Sequence, residues 1–150
     1  MKVIIQKVSR ASVEVEGRIK SKIGDGLLLL VGFEVNDDDT DIEWLSKKII
    51  NMRIFYDKKG LKNLSLQDIN GEILLISQFT LHASTKKGNR PSYSLAAKSE
   101  LARPLYNSFI SRLETDLGKS IKTGEFGAYM KVDLLNDGPV TIIIDSKNRI

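Results

Sequence analysis

Seven consecutive residues, Leu27-Leu28-Leu29-Leu30-Val31-Gly32-Phe33, carry no polar side chain. A strand with one face in water would alternate, so this run predicts a strand covered on both faces and placed centrally in a sheet. Such a strand needs a layer on either side of it. With 150 residues and 41% hydrophobic content, the chain suits one domain, 1–150, whose core folds without staples. The absence of Cys removes disulfide and thiolate chemistry and fits a reducing cytoplasm; a single His with no Cys makes a metal site, zinc above all, improbable. Polar residues follow Met1-Lys2-Val3-Ile4-Ile5 too soon for a signal peptide, and no apolar run reaches the length of a membrane span.

The remaining pattern predicts a mixed α/β fold with antiparallel-rich sheets and two main helices in β/β/α layers. Val3 to Ser9 reads as a strand; Val13 and Val15 alternate with charged neighbours, Gly17-Arg18 turns, and Ile19 to Ile23 returns as a hairpin partner. Thr40 and Glu43 have capping-box spacing, and Ile42, Leu45, Ile49 and Met52 share one face of the helix that follows. Asp57-Lys58-Lys59-Gly60 and Asn70-Gly71 are turn signals. His82 to Ser94 reads as loop. Ser99 is the expected cap of a second helix with Leu101, Leu105, Phe109 and Leu113 along its stripe, Pro104 near its start and Gly118 at its end. Tyr129 to Leu135 alternates like a half-buried strand.

Two motifs stand out. Asn136-Asp137-Gly138-Pro139-Val140-Thr141 lies between Leu134-Leu135 and Ile142-Ile143-Ile144, where proline has no N–H for a ladder and glycine admits unusual backbone angles. The local alternatives are an ordinary hairpin connection and a shaped turn that offers fixed carbonyls to a ligand. Ser77-Gln78-Phe79-Thr80-Leu81 ends the apolar run Ile73-Leu74-Leu75-Ile76, and so sits at the end of a strand. Side-chain catalysis has little support around it. Thr80 has no base adjacent in sequence and is of a type common in strands. Asp133, Asp137 and Glu125 suit turns or surface, and the single His, His82, makes a Ser-His-Asp triad improbable. Two successive N–H groups at the strand end, those of Phe79 and Thr80, have the chemistry to hold a developing oxyanion.

Taken together, the two motifs resemble those of the D-aminoacyl-tRNA deacylases, also known as the D-tyrosyl-tRNA deacylase family. The resemblance runs over essentially the whole chain. It includes Gln6 to Val13, Arg53-Ile54-Phe55, Gly88-Asn89-Arg90-Pro91-Ser92 and Thr123 to Ala128 leading to Met130. It implies a homodimeric editing hydrolase without cofactor, whose partner is the 3′ end of an aminoacylated tRNA and whose substrates are esters of several D-amino acids, with glycyl-tRNA as a minor one. It further implies that Phe79 and Thr80 supply the oxyanion hole and that the 2′-hydroxyl of the terminal adenosine assists. Ser77, Gln78 and Ala102 border the adenosine, with Phe79 and the backbone near Met130 in the pocket. Gly138 and Pro139, joined by a cis bond, enter the partner subunit's pocket and reject L-amino acids by exclusion. The chain departs from the pattern at Lys7, where Arg is usual, and at Tyr93, where Phe is common.

Two other readings stay open: a non-catalytic tRNA-binding module and a general esterase with no need of RNA. The net charge of +4 is compatible with a polyanionic partner. Lys47-Lys48 and Lys58-Lys59 read as solvated surface, while Lys86-Lys87-Gly88-Asn89-Arg90 reads either as an exposed loop or as a phosphate contact.

Overall fold

A computed structural model describes residues 1–150 in full. Strand β1 spans Lys2–Val15, β2 Arg18–Ile23 and β3 Gly26–Gly32. The β1–β2 turn is Glu16-Gly17 rather than Gly17-Arg18. Both residues have positive φ, 50° and 77°, as a tight two-residue hairpin requires, and glycine takes the second place without strain. Helix α1, Asp39–Asn51, follows; β4 (Phe55–Tyr56) and β5 (Lys62–Leu64) make a small separate hairpin; β6 is Glu72–Ser77. A 3₁₀ turn at Phe79–His82 leads by a long loop to α2, Ser99–Leu117, then β7, Lys122–Thr123, and β8, Lys131–Asp145.

The main sheet runs β2-β1-β3-β6-β7, with β8 on the remaining edge of β1. Pairs involving β1 are antiparallel, whereas β3–β6 and β6–β7 are parallel. The expected mixed α/β character and the central, doubly covered β3 are both present: six of its seven residues are buried. Its two faces serve different cores. Leu27, Leu29, Ile73 and Leu75 belong to the larger core under α1 and α2. Leu28, Leu74 and Ile76 form a second core with Val8, Ala11, Val13 and Ile23.

The expected strand Val3 to Ser9 is therefore only half of β1, which continues to Val15 and changes face on the way. Val3 and Ile5 point toward the helices, while Val8, Ala11 and Val13 point into the second core. Strict period-two alternation cannot do this, and the ladder with β8 is irregular between Gln6 and Val8 and again between Val8 and Arg10. The second half of β1, with β2 and the start of β8, thereby covers the face of β3 and β6 that the helices leave open.

Both helix starts differ from expectation. The α1 box is Asp38 with Asp41, not Thr40 with Glu43: Asp38 Oδ1 accepts from Thr40 N–H at 2.8 Å, and Asp38 N–H donates to Asp41 Oδ2 at 3.0 Å. Carboxylates at the same spacing satisfy the same orphan donors and suit the positive end of the helix. Met52 is the C-cap rather than part of the helix. In α2 the cap position is Lys98, and no side chain fills the capping role foreseen for Ser99. The buried face is Ala102, Tyr106, Phe109, Leu113 and Leu117; Leu101 is exposed, and the helix passes through Pro104 to a left-handed Gly118. Substituting Tyr106 for Leu105 in the stripe shifts it by one position, because Tyr106 buries its ring while its hydroxyl donates to Leu75 O at 3.1 Å.

Candidate active site

The Ser77–Leu81 motif lies where the chain leaves the sheet. Ser77 pairs with Val31, and Gln78 N–H donates to Val31 O at 2.7 Å, one residue beyond β6. The 3₁₀ turn then folds back across the end of β3. Gly32 makes room for it: a Cβ there would stand 2.8 Å from Gln78 O and 3.0 Å from His82 Cδ2. His82, expected to open a loop, instead closes this turn and is buried. The turn's own hydrogen bonds begin with Leu81 N–H to Gln78 O, so the N–H groups of Phe79 and Thr80 have no acceptor within it.

Beside the motif is a cleft of about 630 Å³ lined by 19 residues, 13 of them hydrophobic. Of the residues singled out in the sequence, it gathers Ser77, Gln78, Phe79, Ala102 and Met130. Ala102 is buried in the α2 wall, while Phe79 is exposed at the rim and meets Tyr93 edge-on at 5.1 Å. Met130 is pressed against Gly124, where a Cβ would lie 2.6 Å from its Sδ. No carboxylate, imidazole or thiol lines the cleft. Thr80 is not among the lining residues; its hydroxyl accepts from Gln78 Nε2 at 2.6 Å. His82 Nε2 is buried with no hydrogen-bond partner, so it activates neither Thr80 nor Ser77.

Gly138 and Pro139 also lie outside this cleft. No hairpin forms at Gly-Pro: the flanking apolar runs belong to one strand, β8, which continues past the motif along β1. Gln6 pairs with Thr141 and Val8 with Asn136, so the segment Asp137–Val140 bulges out opposite the single residue Lys7. Asn136 closes its base. The Asn136 Nδ2 donates to Gln6 Oε1 and Thr141 Oγ1, each at 2.8 Å, and its Oδ1 accepts from Val140 N–H at 2.8 Å. Lys7, a buried residue, donates from Nζ to the Asp137 carbonyl at 3.2 Å and pairs with Asp137 Oδ2 at 3.0 Å. The Gly138–Pro139 bond is cis, and Gly138 has φ 150°, where a Cβ would lie 2.9 Å from Val140 N.

Tyr106 fixes the back of the site. Burial pushes its hydroxyl up to about 12, so it remains a neutral donor to Leu75 O. Its ring lies 5.4 Å from that of Phe126, a cleft residue. The sequence signals assign neither Phe126 nor Tyr93 a role in the site, though Phe126 stands within Thr123–Ala128 and Tyr93 directly follows Ser92. Gly124 and Gly127 flank Phe126 and are the available signal: Gly127 has φ 78°, and Gly124 has no room for a side chain.

A sequence profile of the family described as D-Tyr-tRNA(Tyr) deacylase matches residues 4–145. The chain is similar to the D-aminoacyl-tRNA deacylase of Flavobacterium psychrophilum, 65% identical over 149 residues and covering 99% of both chains. It is also similar to that of Bacteroides thetaiotaomicron, at 60% identity with the same coverage. Among solved structures, a c-Myc DNA unwinding element binding protein superposes with a TM-score of 0.89 at 43% identity, covering 97% of this chain and 98% of that one. A probable eukaryotic D-amino acid tRNA deacylase shares the fold, with a TM-score of 0.81 at 16% identity over 95% of this chain and 97% of that one.

Proposed function

The chain belongs to the D-Tyr-tRNA(Tyr) deacylase family, and from that membership we propose that it hydrolyses the ester between a D-amino acid and the terminal ribose of tRNA. The observation that carries the mechanism is the pair of N–H groups at Phe79 and Thr80, beside a cleft lined by no carboxylate, imidazole or thiol. Water adds to the ester carbonyl carbon, and these two donors hold the negative oxygen that forms. The C–O bond to the ribose then breaks, one of the water's two protons passes to the ribose oxygen, and the amino acid departs as its carboxylate with the other proton released to solvent. As the family resemblance implies, the neighbouring ribose 2′-hydroxyl relays the proton that reaches the ribose oxygen; no carboxylate or imidazole lines the cleft. Ser77, Gln78 and Ala102 hold the adenosine, and Phe79 and Met130 the aminoacyl end.

Chiral selection falls to Gly138 and Pro139 acting across a homodimer. Three features support this. The two residues are exposed and outside their own cleft, the protrusion is braced by Lys7 and Asn136, and β8 pairs with β1 alone. An unpaired edge over a 15-residue strand, with Leu135 and Ile143 exposed on it, is a surface that a second copy would cover. The inserted loop leaves room for hydrogen on one side of the α-carbon, so D-aminoacyl and glycyl esters enter while L side chains clash. No helix is long and apolar enough to cross a membrane; the site of action proposed is the cytoplasm, with charged tRNA as partner.

The test is hydrolysis of D-tyrosyl-tRNA and L-tyrosyl-tRNA by the purified protein with a chelator present. Loss of the D ester alone is expected. Binding of tRNA without turnover would favour the binding module, and turnover of small activated esters without RNA would favour a general esterase.

A further inference from the structure

The basic residues of this chain are not spread evenly. Between Ile73 and Ser99 there is no Asp or Glu, and the segment carries Lys86, Lys87, Arg90 and Lys98. Removing these four from the chain's 23 basic residues leaves 19, equal to its 19 acidic residues. The whole excess positive charge therefore sits in one segment, which begins with β6, passes through the strand-end motif and reaches the start of α2. All four side chains are exposed, and none makes a salt bridge or a hydrogen bond within the chain. Of the other nineteen basic residues, seven make salt bridges, among them Lys47 with Glu43, Arg112 with Asp116 and Lys147 with Asp41.

The fold holds this charge at the cleft. Ser84 and Ser92 exchange backbone hydrogen bonds of 2.8 and 2.9 Å, closing the loop that carries Lys86, Lys87 and Arg90. Tyr93 follows at once and packs edge-on against Phe79. Lys98 lines the cleft itself. Exposed aromatic rings at a cleft mouth with unpaired cations beside them suit an RNA end, whose bases stack and whose phosphates pair with the cations. We propose that the Lys86-Lys87-Gly88-Asn89-Arg90 loop grips the sugar-phosphate backbone of the tRNA acceptor end, setting affinity for the whole RNA while taking no part at the ester. This rests on the tRNA ester as substrate and assigns the surface that receives the rest of the molecule.

The test compares wild type, K86Q/K87Q/R90Q and the charge-matched control K20Q/K58Q/K59Q. Affinity for uncharged tRNA is measured from 50 to 200 mM salt, together with turnover of D-tyrosyl-tRNA and of the D-tyrosyl ester of adenosine, which has no phosphate. Three lost phosphate contacts remove roughly 20–40-fold of the wild-type salt dependence over that range. The loop variant is expected to show that flattening and about a 10–100-fold lower kcat/KM on the tRNA ester at low salt, with unchanged turnover of the adenosine ester. The control is expected to match wild type. Equal effects in loop variant and control, an unchanged salt slope in the loop variant, or parallel loss on both esters would each overturn the proposal. If wild type cleaves neither ester but the loop variant loses tRNA affinity, the deacylase reading falls and the phosphate contact stands.

Discussion

Lys7 Nζ lies 3.0 Å from Asp137 Oδ2 and 3.2 Å from the Asp137 carbonyl oxygen, bridging strand β1 to the protrusion that carries Gly138 and Pro139. The lysine side chain is only 8% exposed, whereas the carboxylate is 55% exposed, so the brace is anchored from inside the fold. Its ammonium also lies 5.8 Å from the Phe55 ring centroid and 5.5 Å from that of Tyr56. Lys7→Met removes the donor and keeps the volume. The D-to-L ratio of kcat/KM is expected to fall about tenfold or more, since small misplacements at a reacting site cost up to roughly 100-fold. Lys7→Arg, with a donor fork for the same oxygens, is expected to retain the ratio. A ratio unchanged in Lys7→Met would detach the brace from chiral selection.

Ala102→Leu places a branched side chain into the cleft from the buried face of α2. Turnover of the D ester is expected to fall roughly 100-fold. The melting temperature should move little if the cleft that Ala102 lines takes up the added atoms. A large drop in melting temperature would mean that Ala102 serves the core rather than the substrate.

Thr80→Ala removes the hydroxyl that accepts from Gln78 Nε2 and keeps the backbone N–H. If the N–H is the working group, kcat should stay within about tenfold of wild type, the range of one neutral hydrogen bond. Complete loss with an intact fold would revive a threonine nucleophile.

Gly124→Ala brings a Cβ to 2.6 Å from Met130 Sδ and 2.9 Å from Ile76 Cδ1. Overpacking there is expected to cost about 1–3 kcal/mol in denaturant unfolding and to push Met130 into the cleft. Stability and kcat/KM should fall together.

Asp116 joins the two helices. Burial pushes its carboxyl up, but hydrogen bonds from Arg112 and Ser46 outweigh that and hold it below the usual carboxylate range. Asp41 behaves likewise: burial raises it, and the hydrogen bonds from Lys147 Nζ and the Asp38 N–H bring it down. A carboxyl depressed in the folded state adds stability above its unfolded value of about 4, and that stability is lost as pH falls through the folded value. Acid unfolding is therefore expected to steepen below about pH 4, and Asp116→Asn to flatten it while costing about 1–3 kcal/mol at neutral pH. Urea unfolding of both proteins between pH 3 and 7 measures this.

The layers were legible where period and composition spoke plainly. Leu27–Phe33 gave the doubly covered strand, and Ile42, Leu45 and Ile49 the buried face of α1. The change of face within β1 was not legible. Val3, Ile5, Val8, Ala11 and Val13 are all apolar, and only the ladder with β8 shows where the alternation is re-phased. For the same reason Gly138-Pro139 read as a possible hairpin: local sequence marks a break in pairing but not whether the chain turns back or bulges and continues. The strand-end motif was visible as a motif. The cleft wall formed by Tyr93, Phe126 and the start of α2 depends on contacts distant in sequence.

The protrusion opposite Lys7 is at bottom a difference in residue count between two strands that span the same distance. Substitutions can stiffen, loosen or recharge such a feature, but only an insertion or deletion can create or erase it. Removing one residue between Asn136 and Thr141 would shorten the projecting loop, whereas removing one between Ile5 and Val8 would exchange the two cores along the rest of β1. A one-residue insertion in the exposed turn Lys58–Gly60, outside the β1–β8 ladder, is by contrast expected to leave both cores in place.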